Sequence, residues 1–304
     1  MERGMGRARM SIAAIDIGTN SMRMLVLSEN GDEVFRGLEV TGLGVGVDAV
    51  GRFDEDRMND TLAVMARFGE VISSLKVRKV GAVATSATRD ATNGPSFVRA
   101  VSERIGVVPD IIPGEREAKL SFMGATRALE TGLYLVIDIG GGSTEFIRGA
   151  EQVEESVSVD LGSVRLTDRM LATHPTPRAD RVAAASAATA LFSDVPLAKS
   201  ASVIGVAGTF TSLAGIVQRL PQYDRSAVDG FILERSAIED GIDELASLTI
   251  DQIAAIPSLH PKRAPVIIAG AVIAGAALDA VGATSAIVSE SDLLTGLAHE
   301  LLST

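Results

Sequence analysis

At 304 residues the chain is longer than one comfortable hydrophobic core, so two domains of roughly 120 to 180 residues with a cleft between them are expected. It has no cysteine, which excludes a disulfide framework, a zinc-thiolate site and a thiol nucleophile, leaving water or an oxygen nucleophile for any hydrolysis. A 46% hydrophobic content with 30 Gly argues against disorder and suits buried parallel strands, and a net charge of −11 argues against nucleic-acid binding, so a polyanionic substrate must be held by local donors and metal.

Residues 1–10, with Arg3, Arg7 and Arg9, imitate a signal-peptide start, but the apolar run behind them is cut by Asp16, so a disordered leader is expected. Ser11 to Leu27 is β-rich and broken at Gly18, Glu29-Asn30-Gly31-Asp32 signals a hairpin turn, and Glu33 to Thr41 returns as a strand. From Asp54 to Leu75 the apolar positions Met58, Leu62, Met65, Ile72 and Leu75 fall on one helical face. Then come a strand at Val80–Thr85, a helix from Pro95 to Ile105, a strand at Pro109–Ile112 and a helix from Glu115 to Glu130. The alternation resumes with strands at Leu133–Ile137 and Gln152–Val159, helices near Ser163–Leu171 and Ala179–Phe192, and a strand from Ser202 to Ala207. Ala264 to Leu278 is Ala- and Gly-rich and too short to span a membrane, so a buried helix is expected. His174, His260 and His299 show no metal-ligand spacing and read as structural or surface residues.

Ala14-Ile15-Asp16-Ile17-Gly18-Thr19-Asn20-Ser21 matches Val136-Ile137-Asp138-Ile139-Gly140-Gly141-Gly142-Ser143 at an offset of 122 residues (138 minus 16). The same offset carries the segment from Val80 onto that from Ser202, which indicates a duplicated domain. Each Asp-x-Gly loop joins two antiparallel strands, and its consecutive N–H groups make an anion nest. Glycine is expected there for positive φ and for close approach of phosphate oxygens. Ser21, Ser143 and Thr144 add hydroxyls, and Asp16 and Asp138 at the strand ends are candidate Mg²⁺ ligands. Neither loop matches the Walker pattern or a dinucleotide Gly-x-Gly-x-x-Gly.

With Gly205-Val206-Ala207-Gly208-Thr209, these loops form a set that resembles the two phosphate segments and the adenosine segment of the actin, heat-shock chaperone and hexokinase superfamily. Within it, the chain resembles the exopolyphosphatase and guanosine pentaphosphate phosphohydrolase (Ppx/GppA) family from Ile12 to about Leu301. The resemblance is carried by Asp16 to Arg23, Ala84 to Asn93, Ile112 to Ala118, Asp138 to Glu145, Asp160 to Leu166 and Gly205 to Thr209. It implies an α/β protein of duplicated actin-like ATPase (ribonuclease H-like) domains around a cleft. Residues 11–130 would form one domain and 131–291 the other, with a hinge near 130–132 and a closing helix at about 292–304 packed back on the first.

The resemblance makes Glu117 the general base. It places Asp138 and Glu145, with Asp16, around Mg²⁺ or Mn²⁺, and Arg89, Asn20, Ser21 and Arg23 on phosphate beside Gly140, Gly141, Gly142, Ser143, Thr144, Gly208 and Thr209. The residues alone leave alternatives open. Glu117 also reads as a solvated carboxylate in a first helical turn, Arg89 as a surface arginine, Arg23 as a strand-face arginine paired to a carboxylate, and Glu145 as a strand-end surface carboxylate. Arg165 and Lys262-Arg263 read as surface residues.

The implied activity is removal of the terminal phosphate from inorganic polyphosphate, of short chains because the sequence ends soon after the second lobe. Guanosine pentaphosphate is the alternative substrate, and a sugar-type kinase or an actin-like assembly module the alternative class. A cytoplasmic protein without nucleic-acid or membrane partners, forming a homodimer, is expected. Where many family members read Ser-x-x-Gly-Leu-Arg-Glu-Gly, this chain has Ser289-Glu290-Ser291-Asp292-Leu293-Leu294-Thr295-Gly296. The arginine is absent, and Asp292 is expected to repel anions.

Overall fold

The computed structural model describes residues 11–199 and 201–304; the expected leader at residues 1–10 lies outside them. The chain begins with β1 (Ile12–Ile17), β2 (Ser21–Leu27) and β3 (Glu33–Val40), followed by α1 (Val47–Val50), α2 (Glu55–Ser74), β4 (Lys79–Ala84) and α3 (Ser86–Asp90). Next are α4 (Gly94–Ile105), β5 (Asp110–Ile111) and α5 (Gly114–Thr126). The pattern then repeats as β6 (Tyr134–Ile139), β7 (Thr144–Gly149), β8 (Val153–Val159), α6 (Ser163–Met170), α7 (Arg178–Leu191), β9 (Ser202–Val206) and α8 (Ala207–Val217). It closes with α9 (Arg225–Val228), β10 (Ile232–Glu234), α10 (Arg235–Ala246), α11 (Ile250–Ala254), α12 (Ile267–Val281), β11 (Ser285–Val288) and α13 (Leu293–Ser303).

The strand orders show the duplication. The first sheet runs β3-β2-β1-β4-β5 and the second β8-β7-β6-β9-β11-β10, each with two antiparallel hairpins followed by parallel neighbours, to which the second adds β10 antiparallel to β11. β1 and β6 sit at the same 122-residue offset that relates their loops. Local signals set several boundaries. Asp54 caps α2 by accepting from the Arg57 amide at 3.1 Å, Pro95 opens α4, and Gly31 turns the β2–β3 hairpin at φ 85°.

Strand alternation decides what each sheet face carries. Ala13, Ile15 and Ile17 of β1 enter a core with Leu62, Met65 and Phe68 of α2 and Phe97 of α4. Ile12 and Ala14 face the other side, against Leu120 of α5 and Leu293 and Leu297 of α13, so Asp16 is directed toward α5 and α13. In the second sheet Leu135, Ile137 and Ile139 join the large core around α12, the buried helix expected from its composition. Val136 packs on Ala118, Phe122 and Ala125 of α5, and Asp138 shares that face. Helix α5 therefore lies against both sheets and points at the ends of both central strands.

The α5–α13 crossing is held by glycines. A Cβ on Gly124 would lie 1.9 Å from the Asp292 carbonyl oxygen, and one on Gly296 would lie 2.0 Å from that of Leu120. Both contacts are with backbone, so neither yields by a rotamer change. Gly124→Ala is expected to cost about 1–3 kcal/mol by overpacking, read as a lowered melting temperature.

Candidate active site

The β1–β2 and β6–β7 loops are tight turns of the same form, with Gly18 N–H donating to Ser21 O at 3.1 Å and Gly140 N–H to Ser143 O at 3.0 Å. They meet face to face. A Cβ on Gly141 would fall 2.8 Å from the Thr19 Cβ, and one on Gly142 would fall 2.3 Å from Ser86 Oγ. None of Gly18, Gly140, Gly141 and Gly142 has positive φ, contrary to the sequence expectation. For Gly141 and Gly142 the requirement comes from the facing Thr19 and Ser86, whereas a Cβ on Gly18 or Gly140 would meet the Ser21 or Ser143 carbonyl oxygen of its own turn, at 2.9 and 3.3 Å. The residue with left-handed backbone is Ala207, at φ 64°, where β9 turns into α8.

Between the loops is a cavity of about 90 Å³. Asn20, Ser21, Arg23, Glu117, Gly140, Gly141, Gly142, Ser143, Gly208 and Thr209 line it, with Asp16 and Asp138. Thr19, Thr85, Ser86, Ser163 and Arg263 also line it; sequence reasoning did not select them. Thr19 belongs to the β1–β2 loop, Thr85 follows β4, and Ser86 and Ser163 begin α3 and α6, a strand-end signal of the kind already used for Ser21.

Three expected residues lie off the lining. Thr144 is fully buried with its hydroxyl donating to Leu161 O at 2.6 Å, because the strand pleat turns it into the core and away from phosphate. Glu145 is 1% exposed, sits behind the cavity and accepts from Ser158 Oγ at 2.8 Å, so it is no surface carboxylate. Arg89, at the end of α3, donates to Ile112 O at 2.5 Å and to Glu117 Oε2 at 3.1 Å, which makes it the partner of the candidate base.

Arg23 lines the cavity but is committed to carboxylates: Nη2 and Nε donate to Asp16 Oδ2 at 2.6 and 2.9 Å, and Nη1 to Asp292. Asp292 keeps the repelling charge expected of it, since it raises the pKa of both Asp16 and Asp138, but it also has a structural role. It is buried, shares Arg23 with Asp16, and caps α13 by accepting from the Leu294 amide at 3.0 Å. Arg263 and Arg165 are not free surface residues either. Arg263 is tied to Gly208 O at 3.0 Å and Ser212 Oγ at 2.8 Å, and Arg165 Nε donates to Gly142 O at 2.9 Å.

The electrostatics are dominated by buried carboxylates. Glu117, one turn ahead of Ser121 on α5, is pushed up to about 7 by burial, with Asp138 and Asp16 adding to the rise against the opposing pull of Arg89. Asp138 is raised to about 6 by burial and by Asp292, although the Ser121 hydroxyl donates to it. Burial raises Asp16 despite Arg23, and burial with Glu117 and Asp138 raises Glu145. Asp16 Oδ1 is buried without a hydrogen-bond partner. An excess of hard oxygen donors with an orphaned carboxylate oxygen fits a divalent cation. Among the described residues no three His, Cys, Asp or Glu side chains close on one point.

These shifts have a signed consequence for stability. The folded pKa values of Glu117 and Asp138 lie above ordinary carboxylate values, so the folded state binds more protons between about pH 4 and 7. Metal-free protein is therefore expected to lose stability as pH rises through 6 to 7. Melting temperatures in EDTA should be lower at pH 8 than at pH 5.5, with Mg²⁺ closing the gap at pH 8.

The geometry has counterparts in known proteins. Residues 28–304 match the model of the Ppx/GppA phosphatase family. The chain is 33% identical to Exopolyphosphatase 2 of Mycobacterium tuberculosis, covering 95% of this chain and 98% of that protein. It is 32% identical to the Bifunctional 3-dehydroquinate synthase/phosphatase of Fusobacterium nucleatum, covering 93% of this chain and 45% of that protein. Among solved structures, an exopolyphosphatase-like protein superposes with a TM-score of 0.87 at 31% identity, covering 95% of this chain and 98% of that one. The Aquifex aeolicus Ppx/GppA family member superposes with a TM-score of 0.80 at 29% identity, covering 97% and 98%. Paired glycine loops, a helix-borne glutamate between them and near full-length similarity lead to one assignment: the chain belongs to the Ppx/GppA phosphatase family.

Proposed function

We propose that the cleft hydrolyses the terminal phosphoanhydride of short-chain inorganic polyphosphate and releases orthophosphate. The observation that carries this reading is Glu117. It is a carboxylate raised to about 7, held by Arg89, lining the cavity between two opposed phosphate loops. A base works best with a pKa near the operating pH, where part of it is ionised and its carboxylate still accepts a proton readily, and a value of about 7 meets that condition.

In this account the N–H groups of the two loops, with Ser21 and Ser143, hold the terminal phosphate. Glu117 orients a water and takes its proton as the water oxygen bonds to phosphorus. The bridging P–O bond breaks, and its electrons leave with the shortened chain. Arg89 fixes the base, and Arg23 holds Asp16 in place. Asp16 and Asp138, with Glu145 behind them, would hold Mg²⁺, for which Mn²⁺ could substitute. When bound, the ion neutralises charge on the substrate's phosphate oxygens. Residues 11–130 with the C-terminal helix would move as one body and 131–291 as the other, about a hinge near 130–132, excluding bulk water on closure.

A second reading has its own observation. Adjoining the phosphate cavity, and sharing Arg23, Gly208 and Arg263 with it, is a cavity of about 360 Å³ whose walls include Leu38, Tyr223, Pro257, Leu259 and His260. It would take the nucleoside of guanosine pentaphosphate, whose polyphosphate arm would then enter the clamp. The small phosphate cavity favours a short unadorned chain as the first choice. Among the described residues no helix is long and apolar enough to cross a membrane, and we place the protein in the cytoplasm.

The test is the pH dependence of kcat/KM with short polyphosphate and Mg²⁺. The rate should fall about tenfold per pH unit on the acid side, with the break at or below pH 7, because a bound cation draws the Glu117 pKa down from about 7. A profile that is flat from pH 5 to 8 would remove Glu117 from the base role.

A further inference from the structure

On the edge of the cleft, helix α6 performs two tasks with one run of residues. Its N-terminal amides are consumed by the second phosphate loop: Ser163 N–H donates to Gly140 O at 3.0 Å, and Val164 and Arg165 N–H donate to Gly141 O at 2.8 and 3.1 Å. The donors usually orphaned at a helix start thus fix the loop's carbonyls. The contact is tight, since a Cβ on Gly162 would lie 2.4 Å from the Gly141 carbonyl carbon.

The other task faces the first lobe. Residues 165, 168 and 169 fall on one side of α6 by helical spacing. Arg169 grips Asp48 of α1 with Nε and Nη2 at 2.6 and 2.7 Å, and Asp168 accepts from the Gly46 amide at 2.8 Å. Arg165 makes the central connection. Its Nε donates to Gly142 O at 2.9 Å, its Nη1 to Asp48 at 2.6 Å and its Nη2 to Asp90 at 2.6 Å. With a side chain only 13% exposed and all three nitrogens engaged, this guanidinium is not an ordinary solvated pair. Asp90 follows Arg89 on α3, and Arg89 is the residue that holds Glu117.

We propose that Arg165 is a positioning residue that locks the second phosphate loop to α3, whose Arg89 holds the general base on α5, so that the lobes close in register over the substrate. This rests on the hydrolytic reading for its kinetic part only. The fork is needed because three acceptors from two lobes are served by the three nitrogens of one group. A lysine supplies a single nitrogen and cannot span them.

The experiment uses the full-length protein and the variants Arg165→Lys, Asp90→Asn and the double variant, with short polyphosphate and Mg²⁺. Each single change is expected to lower kcat about tenfold with KM changed less than threefold, because misplaced groups cost turnover more than binding. The double variant should be no slower than the slower single, since both break one connection. Unchanged kcat in both singles, or losses that multiply in the double, would overturn the proposal. The absence of native cysteine allows a second reading of lobe position, by spin labels on Val50→Cys and Val182→Cys, both at exposed positions. Arg165→Lys should lengthen and broaden the label distance, whereas Glu117→Gln should leave it alone. An unchanged distribution in Arg165→Lys would also overturn the lock. If wild-type protein releases no phosphate, the functional reading fails and the label distances alone decide this one.

Discussion

Glu117→Gln is expected to lower kcat for orthophosphate release by about 10²–10⁴-fold with KM little changed. The amide keeps the size of the side chain and a carbonyl oxygen for Arg89, so the loops and the bound chain should be undisturbed. It cannot accept the proton of the attacking water. The same substitution removes one negative charge from a buried group in which Glu117 raises the pKa of Glu145. Its melting temperature at pH 8 should therefore equal or exceed that of the parent, and calorimetry checks this. A variant that is both inactive and strongly destabilised would point to a structural role for Glu117.

Removal of divalent cations is expected to have an effect of comparable size, lowering phosphate release about 10²–10³-fold, with recovery on adding Mg²⁺. Asp16, Glu117, Asp138, Glu145 and Asp292 are all buried, and Arg23 is already shared between Asp16 and Asp292. A polyphosphate end brought to this group meets like charge. Two unit charges at 4 Å repel by about 4 kcal/mol at an effective dielectric of 20, which is roughly a thousandfold in rate if left uncompensated. Phosphate release measured in EDTA and after restoring Mg²⁺ checks the effect. Full activity in EDTA would show that arginines and loop amides suffice.

Local signals in the sequence were strong where the structure is local. The apolar spacing from Asp54 to Leu75 anticipates α2 with its capping residues, and the paired Asp-x-Gly loops give the duplication and the facing strand ends. What stayed hidden depends on partners far along the chain. Arg263 reads as a surface residue until α8 brings the Gly208 carbonyl beneath it, and Arg165 until Asp48 and Asp90 arrive from the other lobe. The pairing of Asp292 is hidden for the same reason, since its partner Arg23 lies 269 residues earlier. Ser143 and Thr144 are adjacent hydroxyl residues, yet Ser143 belongs to the loop and lines the cavity, while Thr144 opens β7 and its hydroxyl turns into the core. The loop glycines carry no positive φ, and the close approach of Thr19 and Ser86 to Gly141 and Gly142 is a tertiary fact that no local pattern displays.

The central claim is that this cleft shortens polyphosphate from its end by transfer to water. It is tested most directly by following the size of a short polyphosphate chain together with released orthophosphate, at pH 8 with Mg²⁺. Orthophosphate should accumulate in step with chains shorter by one phosphate at a time, with partly shortened intermediates present, and neither product should form in the Glu117→Gln reaction. Cleavage into mid-length fragments, or no orthophosphate from any chain length, would contradict it.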